Sequence, residues 1–351
     1  MTDPAQPAVP AVTAASLAGW FVLLLLASAA VAVACGFVGH VSLEFGGSWR
    51  FWQWPIWSHP VWPVRMIRLL AAAAVGAALS LGGLALQGLL RNPLAEPYIL
   101  GISSGAGVGV LLGGTFLVQW LALPAWATTP ALAFIGALAT AGVVFAVAQR
   151  RGRLDPYVLL LSGVIVNVFN GALILMLILL TKPQEVIDFI AWGMGNIPEY
   201  LWADTELLLC GWVLVACGWV VLFVRGSAFN ALGLGDEVAA SSGVAVHRLR
   251  LETFLVVSLM TSAAVALAGP VGFVGLIVPH AARMVLGPDH RRLTIVCGFG
   301  GAMFLMLADS LCRVLGRALN LGELPVGVLT ALAGGPFFIF LLRRRTRESA
   351  T

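Results

Sequence analysis

Long apolar stretches, separated by short groups of polar and charged residues, run through nearly the whole chain. About 20 apolar residues cross a bilayer as a helix, at a rise of about 1.5 Å per residue. The lengths of the stretches predict ten spans. They lie in Ser16–Phe37; Val64–Leu90; Tyr98–Gln149, long enough for two spans with a break near Leu123–Pro124; Pro156–Thr181; Leu207–Val224; Thr253–Ala282, which Gly269–Pro270 divides into a full span and a short helix; Leu293–Leu315; and Pro325–Leu342.

The composition supports a fold embedded in lipid. The chain is 60% hydrophobic and only 10% charged, whereas a soluble domain is about 25% charged. Its 40 glycines are typical of helices that pack closely in a bilayer. We therefore predict an all-α polytopic membrane protein, with a tail over residues 1–15, one transmembrane domain over 16–342 and a basic tail over 343–351.

The basic residues predict which side of the membrane each loop occupies. With ten spans, both termini lie on one side, and 14 of the 20 basic residues share that side. Because Lys and Arg are enriched in cytoplasmic loops, we place both termini in the cytoplasm. The net charge of +4 comes from short clusters between spans, so it does not indicate nucleic-acid binding. The six basic residues on the outer side are Arg50, Arg65, Arg68, Lys182, Arg313 and Arg317.

Motifs for ATP hydrolysis and metal binding are missing from the sequence. Its one lysine, Lys182, precedes a proline, so there is no phosphate-binding loop of the GxxxxGK[ST] type. An ATP-driven process would therefore need a separate ATPase subunit. The five cysteines have no CxxC spacing and HExxH does not occur, so we predict neither a metal site nor a disulfide framework.

The segment Gly101-Ile-Ser-Ser-Gly105 matches the GxSxG pattern of serine hydrolases. That pattern requires a strand–turn–helix setting, whereas here it opens an apolar helix in which glycine recurs at 101, 105, 109 and 113. A four-residue spacing puts these glycines on one stripe, which is typical of close helix packing in membranes. We interpret the segment as a packing surface; an intramembrane serine protease with His280 as its base is the alternative.

Proline and glycine interrupt two apolar regions, Arg91–Pro97 after the second span and Gly269–Pro279 after the seventh. A separation of five spans predicts two five-helix halves, and an odd number of spans per half makes them inverted relative to each other. Broken segments at matching positions of such halves indicate a transport pathway. Simple helix kinking is the alternative.

The longest predicted cytoplasmic segment, Arg225–Arg250, contains a short helix that Asp236 is placed to cap and Gly243 to end. A helix of about two turns is marginal by itself in water. We therefore expect it to dock against another structure.

Arginines on the outer side oppose the usual charge bias of membrane proteins. Arg65 and Arg68 lie three residues apart, on one helical face at the end of the second span, and Arg313 lies near the end of the ninth. We predict that they receive carboxylates from an external partner; snorkelling to lipid head groups is the alternative. The nearby loop Val38–Pro63 is rich in tryptophan, which predicts an interfacial aromatic belt or a partner surface.

Eight motifs occur in order along the chain: Arg65–Arg68, Gln87–Pro97, Leu100–Ala106, Leu159–Gly163, Leu232–Asp236, Gly272–His280, Leu307–Asp309 and Glu323–Thr330. Together they resemble the permease subunits of type II ABC importers, which take up iron-siderophores, haem or cobalamin. The resemblance covers nearly everything from Val64 to Leu342, although the tryptophan-rich loop and Glu185–Leu201 depart from the family's pattern.

The resemblance implies a homodimer of ten-span subunits in a bacterial inner membrane, with one translocation channel at the two-fold axis. It implies two ABC ATPase subunits, which would hold ATP and magnesium, and a periplasmic substrate-binding protein that delivers the chelate. This chain itself would bind no cofactor and catalyse no reaction.

The resemblance also implies roles for individual residues. Arg65, Arg68 and Arg313 would receive glutamates of the binding protein. The coupling region, residues 229–250, would sit in a cleft of the ATPase through Asn230, Leu232, Gly233, Gly235, Asp236, Glu237, Ala240, Gly243 and His247. The translocation path and its cytoplasmic gate would involve Asn92, Pro93, Leu94, Asp155, Pro156, Ser162 and Asn167.

These expectations describe an importer that works by alternating access. An ion-coupled secondary transporter is the alternative from another class. It needs an ionisable group at mid-membrane depth, and the acidic candidate inside a span, Asp309, lies towards the outer end. No residue selects among siderophores, haem and cobalamin.

Overall fold

The computed structural model describes residues 14–37, 61–117, 125–150, 153–197 and 205–348. Within these ranges, seven helices are long and apolar enough to cross a membrane, and three shorter apolar helices correspond to the remaining predicted spans. The prediction of about ten spans is confirmed for the described part of the chain. Residues 38–60 of the tryptophan-rich loop, the Leu123–Pro124 break and most of the predicted tail over 1–15 lie outside it.

The helices are α1 (Ala14–Phe37), α2 (Val61–Leu90), α3 (Ile102–Leu112), α4 (Ala125–Ala148), α5 (Pro156–Ile178), α6 (Pro183–Gly193), α7 (Thr205–Val224), α8 (Gly226–Gly233), α9 (Asp236–Ser241), α10 (Val246–Ala268), α11 (Val274–Leu286), α12 (His290–Ala318) and α13 (Val326–Glu348). A 3₁₀ turn at Pro97–Leu100 precedes α3 and a π-helical turn at Gly113–Leu117 follows it. Two-residue strands, β1 (Gln149–Arg150) and β2 (Arg153–Leu154), pair antiparallel between α4 and α5. Following the predicted orientation, we call the end of the bundle at Arg65 the outer end and the end at Arg91 the inner end.

Helix α2 lies at the centre of the bundle, where α10, α11 and α12 surround it. Of its apolar membrane-spanning stretch, 94% is buried inside the protein. Its contact with α12 is backbone to backbone at Gly76 and Gly301, where a Cβ on either residue would overlap the carbonyl of the other. A similar contact joins Gly83 to Gly275 of α11. Glycine at these positions lets main chains approach closely, as packing between membrane helices requires.

The glycine stripe of α3 packs against α4. A Cβ added at Gly105 or Gly109 would meet backbone atoms of Gly136 or Leu132. The GxSxG segment therefore lies in a turn and a packed helix rather than in a strand–turn–helix elbow. The interpretation of this segment as a packing surface is confirmed.

The two interrupted regions contact each other inside the bundle. The Glu96 carboxylate accepts a hydrogen bond from the backbone N–H of Phe273 at 2.7 Å, and the Tyr98 hydroxyl accepts one from Val271, also at 2.7 Å. Phe273 has φ of +69°, which is unfavourable for a residue with a large side chain. These two bonds hold the strained turn that separates α10 from α11.

Replacing Gly83 tests the close packing of α2. We expect Gly83→Ala to lower the thermal stability of the detergent-purified protein, because the added methyl would overlap the main chain of Gly275 and overpacking costs about 1–3 kcal/mol. Gly142→Ala is the matched control, since no atom lies within 4 Å of a Cβ added there. Each variant is heated, and the folded fraction that remains is measured by size-exclusion chromatography to give a melting midpoint. Equal midpoints for the two variants would contradict this packing.

Candidate functional site

Charged and hydrogen-bonding clusters, rather than metal centres, are the candidate sites of this protein. Across the described residues, no group of three or more His, Cys, Asp or Glu is placed to hold a metal ion. The clusters lie at the two ends of the bundle.

A buried ion pair joins α2 to α12 at the outer end. The side chains of Arg68 and Asp309 are only 5% and 1% exposed. Arg68 Nη2 donates to Asp309 Oδ1 at 3.0 Å, and its Nε donates to the same oxygen at 3.1 Å. Removing one partner of a buried pair typically costs about 3–5 kcal/mol, so this contact fixes α2 against α12.

Arg313 lies beside the same carboxylate, one turn further along α12. Its Nε is 3.2 Å from Asp309 Oδ2, but the N–H is not aligned for a hydrogen bond, so the attraction is mainly electrostatic. Its Nη2 donates to Ser310 Oγ at 3.0 Å. One buried carboxylate therefore interacts with two guanidinium groups.

Two more side chains complete this group of charges. Arg65 Nη1 donates to the Gly36 carbonyl oxygen in α1 at 2.9 Å. The Glu323 side chain, between α12 and α13, is 48% exposed and lies 3.3 Å from Arg68 Nη1. Three guanidiniums and two carboxylates leave one positive charge in excess. We call this group the outer arginine cluster: Arg65, Arg68, Arg313, Asp309 and Glu323.

The structure brings together the three arginines predicted to receive carboxylates from an external partner. It also shows that carboxylates of the chain itself contact Arg68 and Arg313. Glu323 is a member that the local sequence does not reveal, since it lies 255 positions from Arg68. Asp309 lies one helical turn before Arg313, but its pairing with Arg68, 241 positions away, depends on the fold. Asp309, the acidic residue considered for ion coupling, is an ion-pair residue here. Docking of a partner on the cluster stays a prediction.

At the inner end, Asp236 connects three elements. Its Oδ1 accepts a hydrogen bond from Arg91 Nη2 at 3.0 Å, and its Oδ2 lies 2.8 Å from Arg250 Nη2. Arg91 belongs to the turn after α2 and Arg250 to α10, so one carboxylate joins α9 to both. The prediction that Asp236 caps its helix is wrong: Gly235 is the N-cap residue, and no side chain caps α9.

The other residues of the predicted coupling region differ in exposure. Leu232 is fully buried, while Asn230 and Gly235 are half-buried. Asn230 Oδ1 accepts a hydrogen bond from the backbone N–H of His290 at 2.8 Å, which joins α8 to the start of α12. The members on the surface are Gly233, Glu237, Ala240, Gly243 and His247.

Side-chain hydrogen bonds stabilise both of the turns that were predicted to form the gate. Asn92 Oδ1 accepts a hydrogen bond from the backbone N–H of Leu94 at 3.0 Å, across the turn that contains Pro93. The Asp155 carboxylate accepts from two backbone N–H groups in the first turn of α5, which Pro156 begins. Both turns are thus locally ordered, and their role as a gate stays a prediction.

Ser162 and Asn167, predicted to line the translocation path, both form hydrogen bonds within the subunit, where Ser162 is buried and Asn167 is half-buried. Ser162 is 4% exposed, and its hydroxyl donates to the Leu159 carbonyl at 3.1 Å. Asn167 donates to the Tyr98 carbonyl at 3.1 Å and accepts from Ser104 at 2.7 Å. The Asn167 bonds attach α5 to α3 and to the turn before it, while the Ser162 bond stays within α5. The role of both residues in the translocation path stays a prediction. The exposed face of α5 is apolar and carries Leu161, Val164, Ile165, Val168 and Phe169.

Comparison with known proteins finds close relatives among membrane permeases. The hemin transport system permease protein HmuU of Yersinia pestis is 37% identical over 331 residues, which cover 93% of this chain and 96% of that protein. The cobalamin import system permease protein BtuC of Halobacterium salinarum is 41% identical over 284 residues, which cover 80% of this chain and 73% of that protein.

The fold comparison agrees with the sequence comparison. A solved structure of a metal-chelate type ABC transporter, in an inward-facing conformation, matches with a TM-score of 0.76 and 30% identity over 93% of this chain and 99% of that one. The fold is thus that of a type II ABC importer permease, as the sequence motifs predicted. The profile of the FecCD transport family matches residues 21–344. The chain therefore belongs to the FecCD transport family.

Proposed function

We propose that two copies of this chain form the membrane channel of an ATP-driven importer that carries a metal chelate into the bacterial cytoplasm. The observation that carries the proposal is the match, over nearly the whole chain, to a permease named for hemin, together with a second relative named for cobalamin. Both compounds are bulky metal-containing macrocycles. A substrate of that class is consistent with a channel formed between subunits rather than within one.

The proposed mechanism is alternating access driven from the inner end. Closure of two paired ATPases moves α8 and α9, which the ATPases contact through the surface residues of the coupling region. Asp236 passes this movement to the turn after α2 and to α10 through its two ion pairs. The apolar face of α5 forms the wall of the path. Because this face offers few hydrogen-bond donors and acceptors, it does not hold back a passing chelate.

Reconstitution tests the transport activity. The chain is assembled in liposomes with its proposed partners, an ABC ATPase and a substrate-binding protein, and haem, cobalamin and an iron-siderophore are the probes. We expect ATP-dependent accumulation of one of them, because the family couples transport to a separate ATPase. Accumulation by the chain alone, without the ATPase, or no accumulation of any of the three probes by the complete assembly, would contradict the proposal.

Arg65 is the best position at which to test partner docking, because its one side-chain bond within the described chain is to a backbone carbonyl, whereas Arg68 and Arg313 share Asp309. We expect Arg65→Glu to weaken binding of the substrate-binding protein by about tenfold or more, since like charges at an interface repel. Surface plasmon resonance with the permease in nanodiscs measures the Kd. Lys182→Glu makes the same charge change at a side chain that is 84% exposed; an equal effect there would refute docking on the cluster.

The link through Asp236 predicts uncoupling of ATP hydrolysis from transport. Asp236→Asn removes the charge that holds Arg91 and Arg250. The pair with Arg91 is exposed on both sides and contributes about 1 kcal/mol or less, whereas Arg250 is largely buried. We therefore expect a drop of a few fold in the number of chelate molecules carried per ATP, while hydrolysis continues. Asp236→Glu keeps the charge and should retain most of the coupling. An unchanged ratio in the Asn variant would show that the ion pairs transmit nothing.

A further inference from the structure

The two carboxylates of the outer arginine cluster differ in how firmly they are held. Asp309 is 1% exposed, lies within 3.3 Å of both Nε and Nη2 of Arg68, and also faces Arg313. Glu323 is 48% exposed and approaches Arg68 only through Nη1, at 3.3 and 3.4 Å. Arg68 is buried in both pairs, but the pair with Glu323 is open to solvent on the Glu323 side. Contacts of exposed, distant partners are weak, whereas breaking a fully buried pair is costly. Of the two, only Glu323 can leave Arg68 easily.

The Glu323 carboxylate binds Arg68 at the position that the carboxylate of a docking partner would take. It comes from the segment between α12 and α13, and its oxygens occupy the one nitrogen of Arg68 that Asp309 does not bind. With one positive charge in excess, the cluster attracts carboxylates from outside, but at Arg68 an incoming carboxylate meets one already in place. Two carboxylates at one nitrogen would repel each other.

We propose that Glu323 is an internal competitor for the docking position on Arg68, and that an acidic group of the partner displaces it. This inference rests on the proposed function, since it assumes that the arginine cluster is the docking surface. Glu323 then sets the affinity of docking. It neutralises Arg68 when no partner is bound, and its displacement reduces the net free energy gained when the partner binds. Asp309 stays in place throughout and keeps α2 fixed to α12.

Displacement would also remove a side-chain contact from the segment that carries Glu323. Upstream, the N–H of Leu321 donates to the Gly316 carbonyl at 2.8 Å, which holds the segment to the end of α12. Downstream, the N–H of Gly327 in the first turn of α13 donates to the Gly195 carbonyl, just beyond α6, at 3.0 Å. Between these two anchors, the ion pair to Arg68 is the side-chain contact of Glu323. Its exchange thus connects docking to the start of α13.

The test compares partner affinity in variants of the assembled transporter in nanodiscs, with the proposed substrate-binding protein as the probe. Glu323→Gln keeps the shape of the side chain but removes its charge, so we expect binding about three- to tenfold tighter than in the native protein. Glu185→Gln is the matched control, because Glu185 is 40% exposed and paired with Lys182 at 4.0 Å outside the cluster. Its affinity should not change.

The possible results separate the inference from the proposed function. Unchanged or weaker binding by Glu323→Gln, alongside weaker binding by Arg65→Glu, overturns the competitor role alone. If Arg65→Glu and Glu323→Gln both leave affinity unchanged, the cluster is not the docking surface and both ideas fail. Thermal melting of each variant checks the fold. Glu323→Ala gives a second estimate of affinity, and it must also bind more tightly than the native protein.

Discussion

Close packing of α2 is the constraint on which both candidate sites depend. This helix is almost entirely enclosed by protein, and its glycines let the main chains of α11 and α12 come into direct contact with its own main chain. A helix packed in this way moves as a rigid body, since close-packed interiors transmit displacement rather than absorb it. Arg68 lies near its outer end and Arg91 immediately follows its inner end. The outer arginine cluster and the Asp236 ion pairs are therefore connected by the same rigid helix, α2.

The charges at the outer end follow from that packing. Because α2 is enclosed, Arg68 cannot extend into water, and a buried guanidinium without a counter-ion would be prohibitively costly. Asp309 on the neighbouring helix supplies the charge, at the position where α2 and α12 already lie side by side. The same argument explains why Glu96 and Tyr98 bond to backbone N–H groups in the strained turn at Phe273. In lipid, backbone groups that leave a helix must find partners within the protein.

The sequence predicted those features that depend on local pattern. Span number, the interrupted regions and the helical coupling segment all follow from hydrophobic length and from the positions of proline and glycine, and the structure has each of them. It did not reveal features set by which helices become neighbours. Glu323 pairs with a residue 255 positions away, and Ser162 lies on the inner side of α5 because α3 and α4 pack there. Asp236 is of a residue type that caps helices, but α9 begins at Asp236 itself with Gly235 as its N-cap, and the Asp236 carboxylate pairs with Arg91 and Arg250.

The strong interactions lie in the interior of the bundle and the weak ones near its two ends. This arrangement suits the proposed role of a lever between two partners. The Arg68–Asp309 pair and the glycine contacts lie in the buried interior, where breaking them is costly. In the pair of Asp236 with Arg91, both side chains are 41% to 47% exposed, and in the pair of Arg68 with Glu323 the glutamate is 48% exposed while Arg68 is buried. Exposed partners of this kind exchange at little cost. A chain built this way keeps its bundle intact while its surface contacts change. In the proposed mechanism, movement imposed at the inner end would therefore be carried through the bundle rather than lost in local rearrangement.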